Sequence, residues 1–143
     1  MKINQLSIFL ENQKGRLWEA LNTIATGKIN IRALSLADTS EFGILRIVVN
    51  DPEKGKKLLE EKQFIVKITP IVGVELSDTP GGLSSVLKIL TDNNINLEYL
   101  YAFTHEKTEK AILLLQAKDL DLLIKILKKH EIAIVPPEEV YNL

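Results

Sequence analysis

The chain of 143 residues contains no cysteine, which excludes disulfides and thiolate metal sites. Histidine is scarce as well, with only His105 and His130, so no zinc centre is expected. Neither sign of charge is in excess: 18 Lys and Arg stand against 19 Asp and Glu, a net charge of −1. A protein without a basic surplus has little to offer a phosphate backbone, so nucleic acid is not an expected partner. No apolar run approaches the roughly 18 residues that cross a bilayer, and no membrane association is expected. Met1-Lys2-Ile3-Asn4-Gln5 is too polar for a secretory leader, and the expected location is cytoplasmic.

Catalytic motifs are missing too. No phosphate loop, dinucleotide fingerprint or nucleophile elbow is present, and no cofactor is expected. Asp38 and Glu41 fall in a polar hairpin and read as turn chemistry. His105 falls in a second hairpin, and His130 near a helix end where a cation is favourable. What remains is an ordinary globular balance, 45% hydrophobic and 26% charged, enough for one domain or two small ones.

The five prolines and seven glycines are few, and one cluster of them organises the chain. Asp78-Thr79-Pro80-Gly81-Gly82-Leu83 follows the apolar run 71–76 and precedes an amphipathic stretch. This reads as strand, tight turn and helix. The leading N–H groups of such a helix are unpaired and carry partial positive charge, so they can receive a carboxylate. Asp78 can receive an ammonium group, or simply cap the helix.

The unit occurs twice. Gly15 and Gly81 are 66 apart (81 − 15). With that offset Asn12 falls on Asp78, Leu17 on Leu83, Leu21 on Leu87, Ile24 on Leu90, Ile29 on Ile95, Asn30 on Asn96 and Leu34 on Leu100. The first copy reads as a strand over 3–10, the turn 11–15, and a helix with Leu17, Ala20, Leu21 and Ile24 on one face. Gly27 is expected as its left-handed closing residue, with Trp18 half exposed beside the stripe. Strands over 29–37 and 43–49 follow, then a lysine-rich helix with Pro52 at its start, then a strand over 64–69. The lysine run reads as a solvated face.

Pro70 alone separates 64–69 from the strand 71–76, and the two are expected either as separate strands or as one long kinked strand. The second copy repeats the order: a helix over 82–93, strands 95–103 and 111–117 around the polar hairpin 104–110, a helix with Leu120, Leu123, Ile124 and Leu127 inward, and a strand 132–135 stopped by Pro136-Pro137. Residues 138–143 read as a short tail. The expected domains are 1–69 and 70–143, each βαββαβ, a split βαβ pattern with both helices on one sheet face. The fold class is α+β, and the two sheets side by side are expected to give eight strands. A second chain is one way to cover the bare face. Tyr99, Tyr101 and Phe103 alternate along one strand and are expected to bury or line a pocket rather than stack on RNA bases.

The element order, the turn before each first helix, and Ile29-Asn30-Ile31 and Ile95-Asn96-Leu97 after it resemble the ACT domain, a small regulatory module of the ferredoxin-like fold. The resemblance covers nearly the whole chain, as two repeats, and is strongest to free-standing tandem ACT proteins. It implies a free amino acid or similar small ligand bound between ACT units, against the strand–helix turn of one unit and the second strand of its neighbour. Carried over, Asp78, Pro80, Gly81, Gly82 and Leu83 form one turn, and Asn12, Gly15, Arg16 and Leu17 the other. Asn30, Ile31, Asn96 and Leu97 begin the facing strands. The first copy departs from the pattern: Lys14 stands for Pro80, Asn12 for Asp78 and Arg16 for Gly82, so two unequal sites are expected, with Arg16 either clamping a carboxylate or lying on the surface. The resemblance further implies a homodimer that regulates a metabolic enzyme partner. The alternative is a dimerisation or regulatory subunit that needs no ligand.

Overall fold

The computed structural model describes residues 1–38, 41–104 and 110–143. The calls on the hairpin tips, including His105, lie outside the described residues. The elements are β1 (Ile3–Glu11), α1 (Arg16–Thr26), β2 (Ile31–Asp38), β3 (Phe42–Val49), α2 (Pro52–Glu61), β4 (Ile65–Ser77), α3 (Gly82–Asp92), β5 (Leu97–Thr104), β6 (Lys110–Ala117), α4 (Leu120–Lys129) and α5 (Pro137–Tyr141). The fold is α+β, and the strands run antiparallel where their pairing is resolved, in the order β2-β3-β1-β4-β6-β5.

The expected eight-stranded sheet is corrected to six among the described residues. Two of the expected strands are one: Pro70 lies inside the 13-residue β4. Proline lacks a donor but holds an extended φ, so a strand can pass through it. The expected last strand, 132–135, contributes only a bridge of Ile134 to Val74, flanked by Glu75 N–H to Ala133 C=O (2.9 Å) and Val135 N–H to Gly73 C=O (2.8 Å).

Two compact units appear. One comprises Asn4–Thr69 with Glu138–Leu143, the other Pro70–Pro137 with Met1–Ile3. In the first, Leu6, Ile8 and Leu10 of β1 join Leu45, Ile47 and Val49 of β3 under Ala20, Ile24 and Leu59 of the helices. In the second, Val72 and Val74 join Leu113, Leu115 and Ala117 under Val86, Leu90, Leu123 and Leu127. These are the same positions twice, first at an offset of 66 and, beyond the second hairpin, of 68 (113 − 45). Even the β-bulge is duplicated: the register slips between Ile31 and Ala33, and again between Leu97 and Tyr99.

All four long helices end alike. Ile29 N–H reaches Ile24 C=O and Lys28 N–H reaches Ala25 C=O, and the same pair recurs at Phe64/Gln63, Ile95/Asn94 and Ile132/Glu131. These are Schellman closures, with an apolar residue folded back over the last turn. The left-handed residues are Lys28, Gln63, Asn94 and Glu131, φ 58 to 68°. Gly27 is therefore not the left-handed residue; its φ is −77°. A Cβ there would meet the Leu58 Cδ1 methyl of α2, the movable end of a side chain. Since a left-handed L-residue costs about 1 kcal/mol relative to glycine, Lys28→Gly is expected to raise stability by roughly that amount, read as a higher denaturation midpoint at unchanged slope.

The core stripe of α1 begins a turn later than expected. Ala20 and Ile24 are buried, but Leu17 is 38% exposed, as is its equivalent Leu83 in α3. Trp18 is 67% exposed rather than half. At α2, Asp51 caps through its carboxylate to Lys54 N–H, ahead of Pro52.

Residues 138–143 are no loose tail. Val140 of α5 is fully buried in the first unit. Tyr141 Oη accepts Asn4 N–H at 2.7 Å, and its carbonyl accepts Arg32 Nε–H at 3.0 Å. Burial raises the Tyr141 phenol above its ordinary value of 10.0, opposed by the Asn4 hydrogen bond and aided by nearby Glu138. The folded state thus holds this proton more tightly than the unfolded one. Its contribution is complete below pH 10.0 and is lost as pH rises through the folded value. A phenolate absorbance titration of wild type against Tyr141→Phe should show one tyrosine ionising late, together with a loss of near-UV signal.

Candidate functional site

Both first helices are entered through the same turn. Gln13-Lys14-Gly15-Arg16 is closed by Arg16 N–H to Gln13 C=O (3.2 Å), and Thr79-Pro80-Gly81-Gly82 by Gly82 N–H to Thr79 C=O (3.0 Å). Gly15 (φ 88°, ψ −8°) and Gly81 (φ 87°, ψ −6°) hold the third position of a type II turn, which requires positive φ. Proline suits the second position, so Pro80 is well placed, and Lys14 shows that it is optional.

These glycines are the N-caps, and neither helix has a side-chain cap bond. The reading of Asp78 as a cap is therefore corrected: the turn interposes three residues between Asp78 and the helix. In α3, Ser85 Oγ–H donates to Gly81 C=O at 2.7 Å. The leading N–H groups of α3 have no acceptor inside their own helix.

In the second unit the turn opens onto a groove of about 550 Å³. Pro80, Gly81 and Gly82 line it, joined by Ser77, Thr79 and Ser85 as hydroxyl groups and by Glu75 and Glu131 as carboxylates. Glu75 also pairs with Lys110 across β4 and β6. The helix N-terminus and the Ser77 and Thr79 hydroxyls suit a carboxylate, and the glutamates suit an ammonium group. Asp78 and Leu83 are exposed beside the groove but do not line it.

The other predicted residues are placed elsewhere. Asn96 lines a separate hollow of about 180 Å³ with Asn94, Glu98 and Asp119. Leu97 starts β5 and is half buried. Asn30 is tied by its backbone, its N–H donating to Asn50 Oδ1 (3.0 Å) and its C=O accepting Asn50 N–H (3.1 Å). Ile31 packs at the edge of the first core. Asn12 N–H donates to Glu41 C=O, extending the β1–β3 pairing by a step.

Arg16 is folded inward. Its guanidinium lies 4.1 Å above the Phe64 ring and its Nη1 donates to Glu19 Oε2 at 2.9 Å. Such a pair is only weakly stabilising at a surface. A hollow of about 280 Å³ in the first unit lies along α1, among Trp18, Asn22, Lys62 and Phe64. The groove chemistry is not duplicated: Glu19 replaces Ser85, and Phe9 replaces Glu75.

Sequence reasoning missed Glu75, Ser77, Ser85 and Glu131. Glu75 carried a signal, as a carboxylate inside the otherwise apolar run 71–76. Glu131 carried none, because only the fold brings 131–133 beside β4. Among the described residues, no group of three or more His, Asp or Glu is placed to hold a metal ion. None of the described helices is long and apolar enough to cross a membrane.

This duplicated fold with paired turn–helix junctions is that of the ACT domain pair, whose family profile matches residues 1–143, and the chain belongs to that family. It is similar to a crystal structure of a protein from Bacteroides thetaiotaomicron, with 37% identity and a TM-score of 0.94, over 100% of this chain and 98% of that one. It shares its fold with the regulatory subunit of aspartate kinase from Thermus thermophilus (12% identity, TM-score 0.61, 88% and 90% covered). The same holds for aspartokinase alpha and beta subunits (19% identity, TM-score 0.57, 98% and 94% covered). No curated protein sequence matches the chain.

Proposed function

We propose that the chain is a non-catalytic regulatory protein that binds a free amino acid at the turn–helix junction of a repeat, acts as a cytoplasmic homodimer and modulates a partner enzyme. The observation that carries this reading is the groove at 79–82, where hydroxyls and a helix N-terminus lie in one depression with two carboxylates. Those groups complement the two charged ends of an amino acid. Asn12, Gly15, Arg16, Leu17, Asn30, Ile31, Asn96 and Leu97 complete the proposed sites when ACT units face each other, and Asp78 and Leu83 flank the second-unit turn. A bound ligand would favour one arrangement of units to the extent that its affinity differs between arrangements.

A thermal-shift panel of the standard amino acids tests it. A ligand at a thousand times its Kd adds about 4 kcal/mol, which at this chain length raises Tm by roughly 10 °C. No shift with any of them overturns the reading and favours a plain dimerisation subunit. With a ligand in hand, Asp78→Ala should weaken binding more than Asn12→Ala. Equal losses would remove the inequality of the two sites.

A further inference from the structure

In both units a depression lies between the first helix and the residues that close the second. In the second unit it opens at the turn, lined by Gly82, Ser85 and Ile132. In the first, Arg16 stands in place of Gly82, and its guanidinium lies over Phe64, the counterpart of Ile132. The hollow there reaches one turn further along α1, to Asn22 and Thr23. Its chemistry is different. The Glu19 carboxylate is neutralised by Arg16. Thr23 Oγ1–H is engaged by the Glu19 carbonyl at 2.7 Å. Among the described residues Lys62 enters no ion pair and the Asn22 side chain no hydrogen bond. Arg16 Nε, screened from solvent beside Phe64, has no acceptor either. The unanswered groups are therefore chiefly donors, and the charge left open is positive.

Trp18 lines the same hollow. It is two-thirds exposed and enters no ring contact among the described residues. A lone exposed apolar side chain is ordinary, but an indole beside a free ammonium group presents a flat face for stacking next to a cation. We propose that this hollow binds a small planar aromatic anion, its ring stacked on Trp18 and its acidic group on Lys62 and Asn22. Ligand pockets usually run from about 300 Å³ upward, so a hollow of about 280 Å³ suits a compact molecule rather than a large cofactor. A lysine ammonium is a point charge that accepts either anion geometry, so the shared chemistry is a flat ring carrying a carboxylate or a phosphate monoester. The second unit has Ser84 for Trp18 and His130 for Lys62, the residues that close α4 and α2 alike. The site thus belongs to the first unit, and it does not rest on the amino-acid reading of the groove at 79–82.

Trp18, the single tryptophan, reports the test. The full chain is titrated with benzoate, indole-3-acetate and adenosine monophosphate while its one indole N–H resonance is followed. At least one of the three should shift it saturably, and added salt should weaken the response. Response to the carboxylates alone or to the nucleotide alone tells which anion the site takes. Benzyl alcohol, a ring without the charge, and cyclohexanecarboxylate, a charge without the ring, should bind far more weakly. By calorimetry, Trp18→Ala should weaken binding about tenfold or more, the usual loss when a stacking ring is removed, and Trp18→Phe should keep most of it. Lys62→Ala should weaken it too, with recovery in Lys62→Arg. Both positions are exposed, so the denaturation midpoints of these variants should match wild type and separate lost binding from lost folding. No saturable shift with any of the three probes overturns the inference. So does equal binding of benzyl alcohol, and so does wild-type affinity in Lys62→Ala. Trp18→Ala should leave the thermal shift of the amino-acid panel in place, so the two readings fail separately.

Discussion

Gly82→Ala is expected to lower stability by about 1–3 kcal/mol, the usual cost of forcing a group into a packed site, and to drop Tm by roughly 2–4 °C for each of those kcal/mol. A Cβ at this position would press into the Ser77 carbonyl oxygen, and its carbon lies 3.4 Å away. A methyl at the end of a side chain could swing aside. A backbone carbonyl at the end of β4 moves only with the strand.

Gly81→Ala makes the contrast, because a Cβ there meets nothing within 4 Å and its cost is conformational, from φ 87°. That is worth about 1–2 kcal/mol. The two variants also differ toward ligand. Shifting Gly82 displaces the first N–H groups of α3, so the amino-acid response should fall more for Gly82→Ala than its stability loss alone explains. The first copy carries Arg16 at this position, so its turn has room for a side chain, and Arg16→Ala should cost less than Gly82→Ala. Denaturant midpoints for the three variants decide this. A Gly82→Ala protein indistinguishable from wild type would show that the turn yields freely.

Val140→Asp is expected to destabilise by roughly 3 kcal/mol or more at neutral pH, since an unpaired carboxylate must be desolvated or its segment released. Val140→Ala, which only removes methyl groups from a filled site, should cost about 2 kcal/mol. Val140 is fully buried, and the same short segment holds the Asn4 and Arg32 bonds to Tyr141. If Glu138–Leu143 lets go as a unit, hydrogen exchange should rise at Asn4 and across the segment while the β3 amides stay protected. The deficit of Val140→Asp should shrink as pH falls toward about 4. Burial raises the folded pKa of the new carboxyl, so the penalty exists only where the unfolded chain is ionised. A variant as stable as wild type with unchanged exchange would mean that the segment contributes no packing.

Most of the repeat was legible because it is written in local chemistry. Gly15 and Gly81, with one offset linking the apolar residues around them, announce strand, turn and helix before any contact is known. Leu6, Ile8 and Leu10 alternate because one sheet face is buried, and Pro52 reads as a helix start because its missing donor costs nothing there. The misreadings lay where packing chose among local options. Gly27 looked like a left-handed closing residue, but Lys28 took the left-handed conformation instead. Leu17 fitted the helical stripe, yet among the described residues no element covers it as Ala20 and Ile24 are covered. For Arg16 the sequence left a carboxylate clamp and a surface position open, and only the fold brings it to Phe64 and Glu19.

The candidate groove divides in the same way. Pro80, Gly81 and Gly82 follow from the chain itself, since positive φ and a tight turn restrict residue type at single positions. Glu131 joins Glu75 and the serines in one groove only after β4 has been laid against 131–135. The sequence by itself determined the duplication, the order of elements, the two turns and the neutral, cysteine-free character of the protein, because each depends on residue type at fixed short spacing. Only the tertiary structure decided that Pro70 sits inside one strand, that 132–135 forms a bridge rather than a strand, that Val140 is buried and that β2 keeps an open edge with two exposed leucines. Those depend on which surfaces remain to be covered once the chain has closed on itself, and local spacing carries no record of that.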